Sequence, residues 1–461
     1  MRAWAWMAMV GMAMAGAAVA AEPPQPAGAL TLAEAISQAW THYPNLAAAQ
    51  ASATRALAVA DEAHVAFWPT AGLTGQWDRA TDNASPGLAF ASPLPGISGS
   101  VPVSVYSQRS TWTSAAGLYF SWEVADFGRR AANVRYFREL ASAAADQTAY
   151  VQLQVGAHAA DAYLNVLAAG EQLRVTQGDE ARWSEIATTV QALVDQQLRP
   201  GADASRAQAE LAQARIRIAA AERNRAAAEA TLAEALGLDP TEVLPALAGV
   251  NAQAPSPPPP AASAPPQVRV QTDNLAAAQA QAQEAARSAL PRWYALGSAY
   301  GRGTGIGAPG QLGRGLAGLA PTTAANWAVG LGLDFSITRW RANRDQRAEA
   351  AAAVTQQQQQ LRQVNITLLA ARRRAAADWT AAETIAQQSP IALQAAEVGE
   401  QQARVRYQAG LAGVVDLANA EQLLAQADSD EALSRLQLWR ALVESAYAAG
   451  DLQPLLGPTR P

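Results

Sequence analysis

The sequence predicts an α+β membrane protein. The chain is internally duplicated, with four transmembrane β-strands per protomer contributing to an oligomeric barrel that continues into a long α-helical coiled coil. Three observations carry this. Stretches of about ten residues alternate apolar and polar side chains, the mark of a strand with one face in lipid. Runs of about sixty residues are filled with the helix formers Ala, Gln, Leu, Arg and Glu. The order strand, strand, long helix, long helix occurs twice.

Residues 1–20 read as a secretory signal peptide. Arg2 supplies the positive start, Trp4 to Gly16 form an apolar stretch too short to span a bilayer, and Ala18-Val19-Ala20 is a small-x-small cleavage site. The first repeat follows over 21–250. Thr31-Leu-Ala-Glu34 is a capping box that starts its first helix. Phe67-Trp68-Pro69 opens a strand over about 67–78, and a second strand runs over about 111–124. On that second strand Trp112, Leu118, Phe120, Trp122 and Val124 share one face, with Gly117, Ser121 and Glu123 on the other. The Gly/Pro/Ser-rich stretch 80–110 between the strands reads as an outer loop. From Arg129 to about Val194 the chain lacks proline. A helix of that length reaches roughly 100 Å at about 1.5 Å per residue. Leu153, Gly156, Ala160, Tyr163, Leu164 and Leu167 recur at helical spacing, a stripe rich in small residues that suits close-packed coiled coils.

A Pro/Ala-rich linker is expected over 251–270, and the second repeat over 271–461. Leu290-Pro291-Arg292-Trp293 opens its first strand, about 291–301. Its second strand, about 326–338, has Trp327, Val329, Leu331, Leu333, Phe335 and Ile337 alternating with Asn326, Gly330, Gly332, Asp334 and Ser336. The stretch 302–325 is the matching loop, and 345–408 the matching long helix. Alternation alone also fits a half-buried strand of a soluble sheet. The membrane is favoured by Trp68, Trp77, Trp112, Trp122, Trp293 and Trp327, which fall near strand ends where an interfacial girdle sits. Four strands cannot close a barrel, and open edges do not survive in hydrocarbon, so the strands must join those of other copies.

Composition excludes much else. There is no Cys and no Lys, and all five Met residues lie in the signal segment. Disulfides, thiolate metal sites, a lipid anchor on a first Cys, Schiff-base chemistry and a Walker lysine are therefore excluded. A formal net charge of −5 argues against a nucleic-acid surface. His42, His64 and His158 are dispersed, so no metal or other cofactor is expected. Gly301-Arg-Gly-Thr-Gly-Ile-Gly307 has the outline of a dinucleotide loop, but no strand–helix unit frames it. No catalytic constellation presents itself, and the chain reads as a non-enzyme.

The sequence resembles the TolC-like outer membrane efflux protein family. The residues behind this are Leu30-Thr-Leu-Ala-Glu-Ala-Ile36 with Tyr43-Pro44-Asn45-Leu46, the passage Trp122-Glu-Val-Ala-Asp-Phe-Gly128-Arg129, and Tyr407-Gln-Ala-Gly410-Leu-Ala-Gly-Val-Val-Asp416-Leu-Ala-Asn419-Ala420. Two stretches depart from the pattern: His42-Tyr43-Pro44-Asn45, and Leu198-Arg199-Pro200-Gly201 ahead of Asp203. The resemblance implies a homotrimer with a twelve-stranded barrel in outer-membrane lipid and a periplasmic helical tunnel. It implies a passive exit duct of a tripartite efflux or type I secretion system, with a periplasmic adaptor and an inner-membrane pump of RND or ABC type as partners. It also places a periplasmic gate at Asp203, Tyr407 and Asp416, with Asn419 where a second acidic residue is often found and Ala412 where some relatives have Arg.

Two readings of the acidic pair stand side by side. Asp203 follows Pro200-Gly201, and Asp416 follows a Gly-x-x-Gly break. Repeated around a trimer axis, each gives a ring of carboxylates suited to cation selection. Both positions also suit helix caps favoured by the helix dipole. Two rival functions share the long helices: a periplasmic adaptor, and a secreted coiled-coil scaffold. The duplicated strand–helix layout speaks against the first, and the alternating strands and Trp placement against the second.

Overall fold

The computed structural model describes residues 29–81, 110–239, 245–250, 264–304, 316, 318–321 and 324–456. The expected signal peptide, most of the first outer loop and the linker core lie outside these residues.

Thr31 begins the helical body as its capping box predicts. Its hydroxyl accepts the Glu34 N–H at 3.2 Å, and the Glu34 carboxylate accepts the Thr31 N–H at 2.9 Å. Helix α1 (Leu32–His42) then gives way to α2 (Pro44–Val65), with Pro44 at the first helical position where its missing N–H costs nothing. Strands β1 (Thr70–Thr81) and β2 (Ser110–Ala125) follow, then α3 (Arg129–Asp195) and α4 (Gly201–Leu236). The second half repeats the plan with α5 (Pro266–Arg287), β3 (Arg292–Thr304), β4 (Ala324–Asp334), α6 (Arg339–Gln408) and α7 (Val414–Ala449), ending in the short α8 (Gln453–Leu456). The duplication extends to lengths: α2 and α5 have 22 residues each, and α4 and α7 have 36 each. Both 36-residue helices end on a left-handed glycine, Gly237 (φ 71°) and Gly450 (φ 85°). Helix α5 starts at Pro266, inside the stretch expected to be linker, because Pro suits the first turn of a helix as well as an extended spacer.

The strands form one antiparallel sheet in the order β1-β2-β3-β4, so the two repeats meet at the β2–β3 pair. Register divides the sheet into two faces, because residues directly opposite share a side. Leu73 pairs with Leu118, Ala71 with Phe120, Phe120 with Gly297, Trp122 with Ala295, Trp293 with Leu333, Ala295 with Leu331, and Gly297 with Val329. That face is apolar across all four strands and exposed: Leu73, Leu118, Trp327, Val329 and Leu331 are 60–79% accessible. The opposite face pairs Thr70 with Ser121, Gly117 with Tyr300, Tyr119 with Ser298, and Arg292 with Asp334. Gly72 makes room on it. A Cβ on Gly72 would stand 2.4 Å from the Tyr119 ring.

Two strand boundaries differ from expectation. Phe67 and Trp68 close the end of α2, with their N–H groups bonded to His64 and Val65 carbonyls, so β1 starts only after Pro69. Strand β4 ends at Asp334 rather than 338. Phe335 and Ile337, read as lipid-facing strand residues, are exposed but lie in the turn into α6. The register explains it: Asp334 faces Arg292, so the next partner is Pro291, which has no N–H for the ladder.

Asp126 governs the passage from sheet to tunnel. Its carboxylate accepts the Gly128 and Arg130 N–H groups at 3.1 and 2.6 Å, and Arg130 Nε at 3.1 Å. Arg130 in turn donates to the Ala66 carbonyl at 3.1 Å, and Arg287 to the Gly128 carbonyl at 2.9 Å. Phe127 and Gly128 turn the chain through positive φ. Below, α3 and α6 run the length of the helical body, flanked by the shorter helices. The broadest core joins α1, mid α3 and the distal ends of α4 and α7 around Tyr163, whose hydroxyl donates to the Leu30 and Ala248 carbonyls.

Candidate periplasmic gate

At the end remote from the sheet, α3 turns into α4 through residues 196–200 and α6 into α7 through 409–413. A small core fixes both turns. Trp183, Ile186, Ala187 and Val190 of α3 pack with Ala204, Ala207 and Leu211 of α4 and with Tyr407, Val414 and Leu417 of the second hairpin. The apolar positions recur at three- and four-residue spacing, as in coiled coils with small side chains.

Tyr407 is the buried centre of this end, 2% exposed. Its hydroxyl donates to Asp203 Oδ2 at 3.4 Å, linking the last turn of α6 to the first turn of α4. Burial pushes the phenol pKa up, and the Asp203 charge adds to the shift. Arg199 completes the junction. Its guanidinium lies 4.4 Å from the Tyr407 ring centroid and donates to the Tyr407 carbonyl and, at 3.2 Å, to the Ala412 carbonyl. One side chain of the first turn thereby bonds two carbonyls around the second.

The structure separates the other two expected residues from this junction. Asp416 is exposed in the first turn of α7, where its Oδ2 accepts the Gly413 N–H at 3.1 Å. Asn419 is also exposed and lines a groove of about 370 Å³ between α3, α4 and α7, together with Arg206, Glu210 and Gln422. Of the two acids, Asp203 accepts its bond from the other repeat, whereas Asp416 bonds within its own helix start.

Sequence reading passed over Arg199. In the sequence it stands only as part of a departure from the family pattern ahead of Asp203, with Ala412 where some relatives have Arg. The structure brings Arg199 to this turn from the opposite hairpin, with the Ala412 carbonyl as an acceptor. Also unnoticed was a buried ionic network above the junction centred on Glu421, which is 0% exposed. Its signal was available: a charged residue at a position where the helix repeat of α7 otherwise places Val414, Leu417 and Leu424. Among the described residues no group of His, Cys, Asp and Glu has metal-binding geometry, and no helix is long and apolar enough to cross a membrane.

The family described as outer membrane efflux protein is matched over residues 35–238 and 259–450, one segment per repeat and well over half of the chain. No curated protein is matched by the sequence. Solved structures share the fold. CusC superposes with a TM-score of 0.77 at 17% identity, covering 91% of this chain and 92% of that one. The CmeC outer membrane channel of Campylobacter jejuni gives 0.75 at 15% identity, covering 91% and 85%. The outer membrane protein VceC of Vibrio cholerae gives 0.74 at 17%, covering 91% and 96%.

Proposed function

The chain belongs to the outer membrane efflux protein family, and on that premise we propose that it is a passive exit duct, three copies of which close one barrel and one tunnel. The observation that carries this is the sheet: four strands with an apolar, exposed face and two edges, β1 and β4, that pair with no further strand among the described residues. An exposed apolar face of this extent needs lipid or a partner. Bare edges in lipid need further strands, since each unpaired backbone group there costs several kcal/mol. Because each copy contributes an even number of antiparallel strands, β4 of one copy meets β1 of the next in the antiparallel sense, and three copies give twelve strands. Trp77 and Trp122 support the membrane placement. Trp77 lies opposite Ser114, eight residues from Trp122 along β2, a span of about 27 Å, which in a tilted strand matches an apolar band of ~25 Å. Each indole N–H donates to a backbone carbonyl beyond the sheet, Leu319 at 3.1 Å and Phe67 at 3.0 Å.

In this reading the chain is exported by its signal peptide, is not lipidated, and performs no catalysis. A periplasmic adaptor and an inner-membrane pump of RND or ABC type supply energy and most selectivity, for efflux or for type I secretion. The Tyr407–Asp203–Arg199 junction holds the periplasmic end closed, and Asp416 sets its charge, with Asn419 contributing a polar lining but no second ring of charge. Membrane fractionation with an unheated denaturing gel tests the reading. A duct is found in the outer membrane as an SDS-resistant oligomer that heating reduces to one 48.1 kDa chain less its signal. Recovery as a soluble periplasmic or secreted species returns the assignment to an adaptor or a scaffold.

A further inference from the structure

Directly above the latch, α7 carries a carboxylate where its packing demands an apolar side chain. Val414, Leu417, Glu421, Leu424 and Ala427 recur at three- and four-residue spacing and are all buried. Glu421 accepts from Arg182 Nε of α3 at 3.1 Å and from Arg404 Nη2 of α6 at 3.3 Å. Glu400, one turn before Arg404 on α6, is buried as well. It accepts from Arg404 Nε at 2.6 Å, so one guanidinium joins it to Glu421. The same arginines serve two further acids of α3, Arg404 reaching Glu185 at 3.4 Å and Arg182 approaching Asp179 at 4.0 Å. Arg217 of α4 donates to Asp179 at 2.6 Å. These contacts form one connected network across α3, α4, α6 and α7. It holds four carboxylates (Asp179, Glu185, Glu400 and Glu421) against three guanidiniums (Arg182, Arg217 and Arg404).

Glu185 is 69% exposed and solvated, so the cost lies not in the overall count but in the most buried member, Glu421, which has a second buried carboxylate on the same guanidinium. Buried charge without a counter-charge is unfavourable, and two adjacent carboxylates cannot both ionise cheaply. We propose that Glu421 and Glu400 form a proton-operated clasp. With one proton shared between them the two carboxylates no longer repel, and α7 is held against α6 and α3. Loss of the proton sets two carboxylates against each other across the α6–α7 seam and loosens the start of α7. Arg404 lies one turn from Tyr407, and Glu421 little more than one turn from Asp416, so the loosened segment is the one that carries the gate. The consequence for flow rests on the gate reading above; the clasp itself does not.

Burial, reinforced by Glu400 and opposed by Arg182 and Arg404, pushes Glu421 up to about 7. The sign follows. A carboxyl whose pKa is raised on folding favours the packed state at low pH, and that advantage is lost as pH rises through the raised value. The pair titrates as a unit, so the midpoint belongs to both residues.

The test uses the full-length trimer in nanodiscs, with amide exchange of residues 414–424 followed from pH 5.5 to 8.5 and corrected for the intrinsic rate. Single-channel conductance is recorded over the same range. The clasp requires several-fold faster exchange above a midpoint near neutrality in the wild type. Glu421→Gln, a neutral isostere of the protonated acid, must remove the step and keep exchange slow throughout. Glu400→Gln takes away the second carboxylate, and must also remove the step or move it to lower pH. If Glu421→Gln does not trimerise, Glu400→Gln alone decides. A wild type with no step, or the wild-type midpoint retained in the variants, overturns the clasp. A step in exchange with flat conductance keeps the clasp and refutes the gate reading.

Discussion

Tyr407 joins the two repeats at the end of the tunnel, and its neighbours give separable predictions. Tyr407→Phe removes only the hydroxyl bond to Asp203, worth about 1 kcal/mol, in a region far from the sheet. Trimer yield is expected to stay at the wild-type level while bilayer conductance rises. Arg199→Ala is expected to raise conductance further, since it removes a cation–π contact as well as two carbonyl bonds. Arg199→Lys should not restore the wild-type level, because an ammonium cannot span two carbonyls while lying flat on the ring. Asp416 needs a different substitution, because its carboxylate also accepts the Gly413 N–H. Asn caps a helix about as well as Asp but carries no charge. Asp416→Asn is therefore expected to leave the melting temperature unchanged while weakening cation selectivity and inhibition by multivalent cations. Unchanged selectivity together with a melting temperature lowered only by Asp416→Ala would mark the residue as a cap alone.

At the scale of single elements, the strand faces and the helix ends carry the strongest consequences. Leu118→Arg and Leu331→Arg place a charge on the exposed apolar face and should block assembly, at roughly 2–4 kcal/mol per copy near the bilayer midplane. Ser121→Arg and Gly330→Arg point to the other face, and a Cβ at Gly330 meets open space. Both should assemble, as scored by the SDS-resistant band. Equal assembly of the two pairs refutes the face assignment. The paired glycine stops of α4 and α7 are equally exacting. A Cβ on Gly237 would lie 2.8 Å from the His42 carbonyl, and one on Gly450 2.8 Å from Pro265 Cβ, both at positive φ. Either Gly→Ala change should cost about 1–2 kcal/mol from backbone handedness alone, read as a lower melting temperature. The sequence motif from Trp122 to Arg129 finds its reason at this scale too. Asp126 and Gly128 carry the chain from a strand into a helix of 67 residues.

For the molecule as a whole, assembly follows from what one chain leaves unfinished. The apolar face and the two sheet edges sit at one end. Along α6, Ile391, Val398 and Val405 form an exposed apolar stripe at seven-residue spacing, the seam spacing of a coiled coil lacking its partner. Heating the SDS-resistant species should therefore dissociate barrel and tunnel together, seen as one cooperative loss of both strand and helix signals.

The sequence by itself determined the elements and their order. Alternation over ten residues, proline-free helix formers over sixty and the doubled plan are local or periodic signals, and each survives as a strand, a long helix or a repeat. Capping at Thr31 and the outward set Leu118, Phe120, Trp122, Trp327, Val329, Leu331 and Leu333 were legible for the same reason. Where β4 ends was not, because it depends on Pro291 lying opposite residue 335, a matter of register between strands over forty residues apart. The partner of Tyr407 on the Arg side was equally hidden. Arg199 stands 208 residues away, and only the packing of one hairpin against the other brings its guanidinium onto that ring. The charge balance around Glu421 likewise exists only in three dimensions, since its four carboxylates and three guanidiniums come from four helices. Periodicity records which face of an element is buried. It does not record what that face meets, because contact pairs are set by how whole helices and strands pack.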